Sequence, residues 1–231
     1  MTNKEELGKF WESTPFWELL TPDEKDLLHQ EVEIVHYRKN EIIHMEGDEP
    51  THVMMLVKGK VRIYKEGIGQ KPQIIRLLKP YDFFGYRATI AGDHYNSCAS
   101  VFEPSIVCRL RKEIFIKLLR KNNELCFAML TLMSSDLAIS ELQTVNLTQK
   151  HIRGRLAESL LNLKENYGLE ADCATIAMYI SREDLANLSN MTTSNAIRTL
   201  SQFASEGIVG VDGRKIKILN EDELTRISRM G

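Results

Sequence analysis

Polar side chains are concentrated in the segment ISREDLANLSNMTTSNAIRTLSQF, residues 180–203. Its pattern predicts two short helices joined by a tight turn, because Ser181 and Thr192 are good N-cap residues and Asn190 tolerates a left-handed turn conformation. Hydroxyl and amide groups on the outer face can contact phosphates and base edges; asparagine pairs well with adenine, and arginine with guanine. The residues predicted to make such contacts are Ser181, Arg182, Thr192, Thr193, Ser194, Asn195, Arg198 and Lys215.

Positive charge is scarce around this segment. The chain has 30 basic residues against 32 acidic ones, and residues 181–219 contain five basic residues against four acidic ones. Their positions are nevertheless favourable, because Arg182 begins the first helix and Arg214, Lys215 and Lys217 follow on a predicted hairpin. Helix N-termini also favour phosphate, and a dimer would double the phosphate contacts. The alternative is a domain of the same shape that is used only for protein contacts.

The segments on either side predict the rest of this domain. HIRGRLAESLLNLKENYG, which precedes the paired helices, predicts a further helix. EGIVGVDGRKIKIL, which follows them, contains Asp212-Gly213, a strong signal for a type I′ hairpin. Helix, paired helices and hairpin together predict a winged helix-turn-helix domain over residues 148–231.

The N-terminal half has a different pattern. Residues 4–30 predict short helices, with a capping hydroxyl at Thr21, a proline at the first helical position and Glu24 three residues on. From Val32 to Leu110, short apolar runs such as HVMMLV and QIIRLL alternate with turn-forming residues. Regular short strands of this kind predict a β-sandwich or barrel rather than a parallel sheet, which would need helices between the strands. We assign residues 1–112 to this domain.

Residues 113–147 contain neither glycine nor proline and predict one long helix. Met129, Met133 and Leu137 recur at a spacing of four residues and form an apolar stripe. A stripe longer than one small barrel could cover needs a partner surface, so we predict a dimer interface through these three residues. The alternatives are a helix that lies on its own barrel and, for the methionines, a cofactor-binding box.

Composition argues against several classes of protein. The four cysteines, Cys98, Cys108, Cys126 and Cys173, lack metal-ligand spacing, and the six histidines are scattered, so no metal site is predicted. We find no constellation of catalytic residues and predict that the protein is not an enzyme. The N-terminus has no apolar signal segment, and no apolar run approaches membrane-spanning length, which favours a cytoplasmic protein.

Taken together, these features resemble the CRP/FNR family of bacterial transcription regulators. The motifs that carry the resemblance are GDEPTHVMMLVKGKVRIY, KPYDFFGYRATIAG, IRGRLAESLLNL and SREDLANLSNMTTSNAIRTL, and they span essentially the full chain. The resemblance implies an α+β chain with an N-terminal β-roll (a cupin-like jelly roll), a long central dimerisation helix and a C-terminal winged helix-turn-helix. It also implies a homodimer on a palindromic promoter site, an effector pocket between the β-roll and the helix, and RNA polymerase as a partner of an activator.

The resemblance places the base contacts on Thr193, Ser194 and Arg198. Arg198 matches the family pattern, whereas Ser194 stands where the cyclic-AMP and fumarate-nitrate regulators have glutamate. Together with the neighbouring threonines and Asn195, this difference implies a different operator sequence.

The effector pocket also departs from that of the cyclic-AMP binders. Tyr86 replaces the glutamate that binds ribose, and Asn96-Ser97 stands where an Arg-Ser pair holds the cyclic phosphate. Burying a phosphate charge without a matching cation is unfavourable, so we predict that cyclic AMP is not the effector. The alternative is that Tyr86 packs over the β-roll and Arg87 is solvated. The predicted pocket residues are Gly85, Tyr86, Arg87, Asn96, Ser97, Ser140 and Glu141.

The sequence leaves the effector unidentified. The family's iron–sulfur sensors carry cysteines near the N-terminus, but no cysteine precedes Cys98, so no iron–sulfur cluster is expected. His94 lies near the predicted pocket and keeps a haem or metal ligand open as an alternative to a surface residue. The predicted function is DNA-binding transcription regulation. The alternative is an effector-binding regulatory module that acts through protein contacts without sequence-specific DNA binding.

Overall fold

The computed structural model describes residues 12, 14–67 and 71–230. Backbone contacts divide the chain into two compact units. The first contains the described residues up to Lys65 together with Ile75–Ala138. The second contains the described residues of Glu66–Ile74 together with those from Ile139 onwards.

The first unit begins with a short 3-10 turn at Trp17–Leu19 and helix α1 at Pro22–Glu31. The capping predicted at Thr21 is confirmed. Its hydroxyl accepts the backbone N–H of Glu24 at 3.4 Å, and the Glu24 carboxylate accepts the backbone N–H of Thr21 at 2.9 Å. These two bonds satisfy donors that a helix start otherwise leaves free. The helices predicted within residues 4–11 lie outside the described residues.

The N-terminal domain is a β-roll of two four-stranded sheets. Its elements are β1 (Glu33–Tyr37), β2 (Ile42–His44), β3 (His52–Lys58), β4 (Val61–Glu66), β5 (Pro72–Leu78), β6 (Phe83–Phe84), helix α2 (Tyr86–Ala91), β7 (Cys98–Val101) and β8 (Ser105–Arg111). One sheet has the order β1-β8-β3-β6 and the other has the order β2-β7-β4-β5. β1 and β3 pair antiparallel with β8, and β2 and β4 pair antiparallel with β7. The predicted β-sandwich or barrel is therefore confirmed.

Strand β3 is buried on both of its faces. Val53, Met55 and Val57 contact the core that the β-roll shares with helices, whereas Met54 and Leu56 contact the core formed by residues of both sheets. Because successive side chains of a strand point to opposite faces, a strand that is covered on both faces reads as a continuous apolar run. This explains why VMMLV shows no polar alternation.

The prediction of one helix over residues 113–147 is wrong in one respect, because the helix is interrupted. The structure has α3 at Lys112–Lys121 and α4 at Asn123–Gln149. Between them Asn122 has an extended backbone, with φ −112° and ψ 101°.

Asn122 holds this break in place through its side chain. Its amide Nδ2 donates to the carbonyl of Leu19 at 2.8 Å and to the carboxylate of Glu24 at 2.7 Å, while its Oδ1 accepts the backbone N–H of Leu125 at 2.9 Å. The first two partners lie 103 and 98 positions away in the chain. A local helix pattern therefore contains no sign of the interruption.

The second unit contains the helices and hairpin of the predicted winged helix-turn-helix domain. Its elements after α4 are α5 (Ile152–Tyr167), α6 (Arg182–Leu188), α7 (Thr193–Ser205), β9 (Val209–Asp212), β10 (Lys215–Ile218) and α8 (Glu221–Met230). Each helix buries one side in a common apolar core. Fully buried members of this core include Leu160, Leu185, Phe203 and Leu224.

The predicted hairpin is confirmed, but its turn differs from the prediction. Asp212 pairs with Lys215, so the turn residues are Gly213 and Arg214 rather than Asp212 and Gly213. A type I′ turn needs a positive φ at both turn residues. Gly213 has a φ of 54°, whereas Arg214 is not among the residues with a positive φ, so the turn is not of type I′.

Candidate nucleic-acid interface and effector site

Helix α7 presents a polar outer face because its apolar residues are buried on the other side. Thr192 caps the helix, with its hydroxyl accepting the backbone N–H of Asn195 at 3.2 Å. Ala196 and Leu200 are buried, as predicted. The left-handed conformation predicted for Asn190 is also observed, with a φ of 49°. Exposed residues of the outer face are Thr193, Ser194, Ile197, Arg198 and Ser201.

Arg198 is exposed and held by a neighbour on the same helix. Its Nη2 donates to Oδ1 of Asn195, which is half-buried, at 3.0 Å. The two residues are three positions apart and therefore lie on one face of the helix. One N–H group of the guanidinium is engaged in this bond, which leaves others available to an acceptor outside the protein.

The start of α6 is capped as predicted, and Arg182 contacts the hairpin turn. The Ser181 hydroxyl accepts the backbone N–H of Asp184 at 3.0 Å. Arg182 donates through Nη2 to the carbonyl of Gly213 in the hairpin turn at 2.6 Å, and its Nη1 is buried without a partner among the described residues. Burial lowers the pKa of Arg182. The structure thus gives Arg182 a contact with the wing, and its predicted phosphate contact stays a prediction.

The wing lysines are paired with acidic residues. Nζ of Lys215 lies 3.6 Å from Oε2 of Glu170 and 4.9 Å from the centre of the Tyr179 ring. A hydrogen bond with Tyr179 and the charge of Glu170 raise the pKa of Lys215. Lys217 lies 3.2 Å from the carboxylate of Asp172. A phosphate would therefore have to compete with protein acids for both lysines.

Arg214, in the turn of the wing, is different. Its side chain is exposed and has no partner within the part of the chain that the structure describes. It is therefore the wing cation most available to a polyanion.

The half-buried Gly85 and the buried Tyr86 lie at the centre of the predicted effector site. Gly85 precedes α2 with a φ of 80°, and a Cβ there would lie 2.9 Å from Cε of Met54 and 3.2 Å from the carbonyl oxygen of His52. Only glycine fits both the conformation and the space. This turn directs Tyr86 into the core, where its side chain is 1% exposed.

The other predicted pocket residues do not join Tyr86 in the core. Arg87 and Asn96 are exposed and Ser97 is half-buried. Ser140 and Glu141 are exposed on the part of α4 that belongs to the second unit. The alternative interpretation, in which Tyr86 packs against the β-roll and Arg87 is solvated, describes what the structure shows.

The buried phenol of Tyr86 belongs to a network that sequence reasoning missed. Its hydroxyl donates to Oδ2 of Asp136 on α4, and Nη1 of Arg76 on β5 lies 2.8 Å from the same oxygen. We call Arg76, Tyr86 and Asp136 the roll–helix network. The available signals were weak: Arg76 is a lone charge within QIIRLL, and Asp136 is the one acidic residue of α4 between Glu124 and Glu141.

Burial and neighbouring charges define the protonation states of this network. Burial, and then the bond to Asp136, raise the pKa of Tyr86 to about 12, so the phenol is neutral and acts as the donor. Burial alone would lower the pKa of Arg76, but the charge of Asp136, together with Tyr86 and Asp82, raises it overall. Burial also raises the pKa of the nearby Asp82. Two acidic residues thus share one arginine, which disfavours an anionic ligand.

Two histidines of the β-roll have contrasting environments. His94, the alternative haem or metal ligand, is exposed, with its Nδ1 3.6 Å from the carboxylate of Asp93. His44 is buried and stacks on Tyr95, with ring centres 3.7 Å apart. Its Nδ1 has no partner among the described residues, and burial lowers its pKa to about 4.

The three residues of the predicted apolar stripe on α4 differ in exposure. Met129 is 3% exposed and Met133 is half-buried against the same core, so these side chains face their own protomer. Leu137, by contrast, is 61% exposed. The spacing of four used for the prediction drifts around a helix of 3.6 residues per turn, which carries it from the core side to the solvent side. Other large apolar residues exposed on α4 are Phe127, Leu130, Ile139, Leu142 and Val145.

Comparison with known protein families identifies both halves of the chain. The cyclic nucleotide-binding domain family matches residues 34–122, and the Crp-like helix-turn-helix domain family matches residues 154–227. The chain belongs to the CRP/FNR family of transcription regulators. The resemblance stated from the sequence, the α+β fold class and the function of a DNA-binding transcription regulator of this family are thereby confirmed.

Named relatives agree with this identification. The chain is 28% identical to the fumarate and nitrate reduction regulatory protein of Vibrio cholerae over 211 residues, which cover 90% of this chain and 84% of that protein. It is 26% identical to the regulatory protein HlyX of Actinobacillus pleuropneumoniae over 189 residues, which cover 81% of this chain and 78% of that protein.

Solved structures share the fold of this CRP/FNR regulator. FixK2 from Bradyrhizobium japonicum superposes with a TM-score of 0.77 at 24% identity, covering 85% of this chain and 96% of FixK2. A transcriptional regulator of the family from Eubacterium rectale also gives a TM-score of 0.77, at 19% identity, covering 94% and 98% of the two chains.

Proposed function

We propose that this CRP/FNR regulator acts as a homodimer on a palindromic promoter site, where Arg198 of each protomer reads a base pair. The observation that carries the proposal is Arg198 itself, exposed on α7 and oriented by Asn195. Arginine oriented in this way suits the O6 and N7 acceptors of guanine in the major groove. Thr193 and Ser194, exposed beside it, supply hydroxyl contacts to the same groove or to phosphates.

Selection of DNA from a random pool tests this proposal, because the protein itself then reveals the operator sequence that it prefers. The wild type should enrich a palindrome, and Arg198→Ala should lose about 1–3 kcal/mol on the selected site and relax preference at one position per half-site. Ser201→Ala is a matched control, because it removes an exposed polar group from the same helix. If the wild type enriches no sequence, the protein acts through protein contacts instead.

We assign three functional regions to the chain: a β-roll sensing domain over residues 1–112, a dimerisation helix over 113–147 and a winged helix-turn-helix over 148–231. Support comes from the strand and helix order, although the single helical region contains the break at Asn122. These functional boundaries differ from the compact units, which divide α4 between Ala138 and Ile139.

The proposed dimer interface is the exposed face of α4 rather than the methionine stripe. At about 100° per residue, Phe127 and Val145 lie on the side of the helix that faces away from Met129, and Leu130 and Leu137 lie between that side and Met129. By length and composition alone, α4 is apolar enough to span a membrane. Only 11% of its most apolar window is buried inside the protomer, so most of this apolar surface is left uncovered. Such an apolar surface on a DNA-binding regulator needs a cover, and a second copy of the same helix supplies one.

Charge reversal on this face tests the dimer. Leu130→Glu combined with Leu137→Glu should give monomers in sedimentation equilibrium and abolish operator binding, because both side chains are exposed and their replacement leaves the protomer core intact. Ile139→Glu is the control, since Ile139 is 53% exposed but lies off the proposed face. A monomeric wild type at micromolar concentration would contradict the proposal.

The effector is proposed to be a molecule other than cyclic AMP, or none. Support comes from the exposed neutral Asn96, the buried Tyr86 and the acidic residues Asp82 and Asp136, none of which provides a cation for a cyclic phosphate. Calorimetry with cyclic AMP and cyclic GMP should show no binding. A micromolar dissociation constant that depends on Asn96 or Arg87 would overturn this part of the proposal.

Two further assignments follow from the family. We propose a cytoplasmic location, because the relatives are DNA-binding regulators, and RNA polymerase as a partner if target genes are activated. Co-purification of tagged protein with RNA polymerase on a selected operator, compared with the Arg198→Ala variant, tests the second assignment.

A further inference from the structure

The roll–helix network joins three elements that are far apart in the chain. Arg76 and Tyr86 lie 60 and 50 positions before Asp136, and both donate to the same oxygen of its carboxylate. All three residues belong to the first compact unit. We infer that this network takes the place of an effector: it holds α4 on the β-roll without a ligand, which makes Arg76 and Asp136 positioning residues of the effector site. The inference rests on the proposed function for its link to DNA binding.

The chemistry of the network leaves little for a ligand to bind. The Asp136 carboxylate has a cation and a neutral donor on one oxygen, so its charge is compensated inside the protein. The raised pKa keeps the phenol of Tyr86 protonated, and its one hydrogen is already donated to Asp136. Any ligand that entered would have to separate this charged pair, and a carboxylate that is only 16% exposed is destabilised when it loses its partners.

The network also determines which face of α4 is presented outwards. At about 100° per residue, Asp136 lies opposite Phe127 and Val145 on the helix. Fastening the Asp136 side to the β-roll therefore keeps the opposite, apolar side with Phe127 and Val145 exposed for a second protomer. A protein built in this way would present its dimer face, and bind its operator, in the absence of any added effector.

A pair of matched variants separates the network from the general stability of the β-roll. Tyr86→Phe removes the hydroxyl that reaches Asp136 and keeps the buried ring. Tyr95→Phe removes the hydroxyl of another buried tyrosine, which donates at 3.3 Å to the carbonyl of His52 within the β-roll. Both variants lose one hydrogen bond, but Tyr86→Phe alone weakens the attachment of α4. Asp136→Asn, which keeps the shape but removes the charge, is a second test of the same attachment.

Two measurements on full-length, ligand-free protein test whether the roll–helix network holds α4 on the β-roll. Hydrogen exchange of the α4 amides in residues 130–138 should be at least about tenfold faster in Tyr86→Phe and Asp136→Asn, and unchanged in Tyr95→Phe, because a hydrogen bond to a charged group is lost. Affinity for the selected operator should fall by a similar factor in the first two variants and remain at the wild-type value in Tyr95→Phe.

The outcomes also separate this inference from the proposed function. If Tyr86→Phe and Tyr95→Phe show the same hydrogen exchange in α4, the network does not hold the helix and the inference is wrong. If the wild type binds its operator only after a small molecule is added, the inference is wrong while the proposed function stands. If no variant or wild type selects any DNA, the proposed function fails, and hydrogen exchange still tests the attachment of α4.

Discussion

The reading helix and the effector site use polar residues in opposite ways. On α7, Thr192, Asn195 and Arg198 lie within seven consecutive positions, and the guanidinium remains exposed after bonding to its neighbour. At the effector site, Tyr86 and Asp136 come from distant segments and saturate one another inside the protein. The polar groups of α7 remain available to an external partner, whereas those of the effector site are already hydrogen-bonded to each other within the protein.

This difference has a physical consequence for substitutions in the two regions. A reading helix can change its target by exchanging exposed side chains, such as Ser194, without disturbing the core. The effector site cannot change so freely, because Tyr86 occupies the core and its hydroxyl must find a partner there. The buried Tyr86 hydroxyl uses the Asp136 carboxylate as its acceptor, and the charge of that carboxylate is in turn paired with Arg76.

The same substitution in the two regions should give the largest contrast. Arg76→Met leaves Asp136 without its cation and should lower the free energy of unfolding of the first unit by about 1–2 kcal/mol, because the Arg76 side chain is 33% exposed and water screens part of the pairing. Arg198→Met removes an exposed arginine and should change stability by less than about 0.5 kcal/mol. It should cost about 1–3 kcal/mol of affinity for the selected operator and relax preference at one position per half-site. Urea unfolding of both variants measures the stabilities. Equal losses of stability would remove the distinction between the two regions.

The dependence of stability on pH should also differ between the two regions. His44 is buried in the β-roll, where its pKa is lowered. Residues 190–205, which form α7 and the turn before it, contain no acid, histidine or lysine. The pKa of His44 falls to about 4 in the folded protein, so the unfolded chain takes up a proton first as the pH drops below about 6.5. The contribution of neutral His44 to the free energy of unfolding is complete above that pH and is lost as the pH falls toward 4. Between about pH 7 and pH 5 it should decrease by about 2 kcal/mol.

His44→Phe provides the control for this titration. Phenylalanine keeps an aromatic ring against Tyr95 and cannot be protonated. The difference in unfolding free energy between wild type and variant should therefore depend on pH through the window of His44 alone, with other histidines such as His52 cancelling. A difference that is independent of pH would show that His44 is not the group responsible.

The smallest predicted effects concern the wing. Arg214→Ala should lower the slope of log K against log salt by about one, because a free exposed cation contributes fully to counterion release. Lys215→Ala should lower that slope by less, because the charge of Lys215 is already paired with the Glu170 carboxylate. Glu170→Gln should strengthen binding to all sequences alike. If Lys215→Ala gives the larger change in slope, the ion pair with Glu170 does not persist on DNA.

Most of the DNA-binding domain could be predicted because its signals are local. The caps at Ser181 and Thr192 and the left-handed Asn190 each depend on neighbours within three or four positions. The contact of Arg182 with the carbonyl of Gly213 could not be predicted, because that partner is 31 positions away. Its residue type indicated a cation at the start of a helix but not what that cation would contact.

The sequence by itself determined the order of strands and helices, the caps, the hairpin and the family, because these depend on short-range contacts and on the periodicity of apolar residues. Only the tertiary structure decided the break at Asn122, the burial of Met129, the pairing of the wing lysines and the roll–helix network. In each of these cases a polar or apolar group is satisfied by residues brought close by folding rather than by its neighbours in the chain. The same carboxylate would be a solvated surface charge if α4 did not pack its Asp136 side against the β-roll.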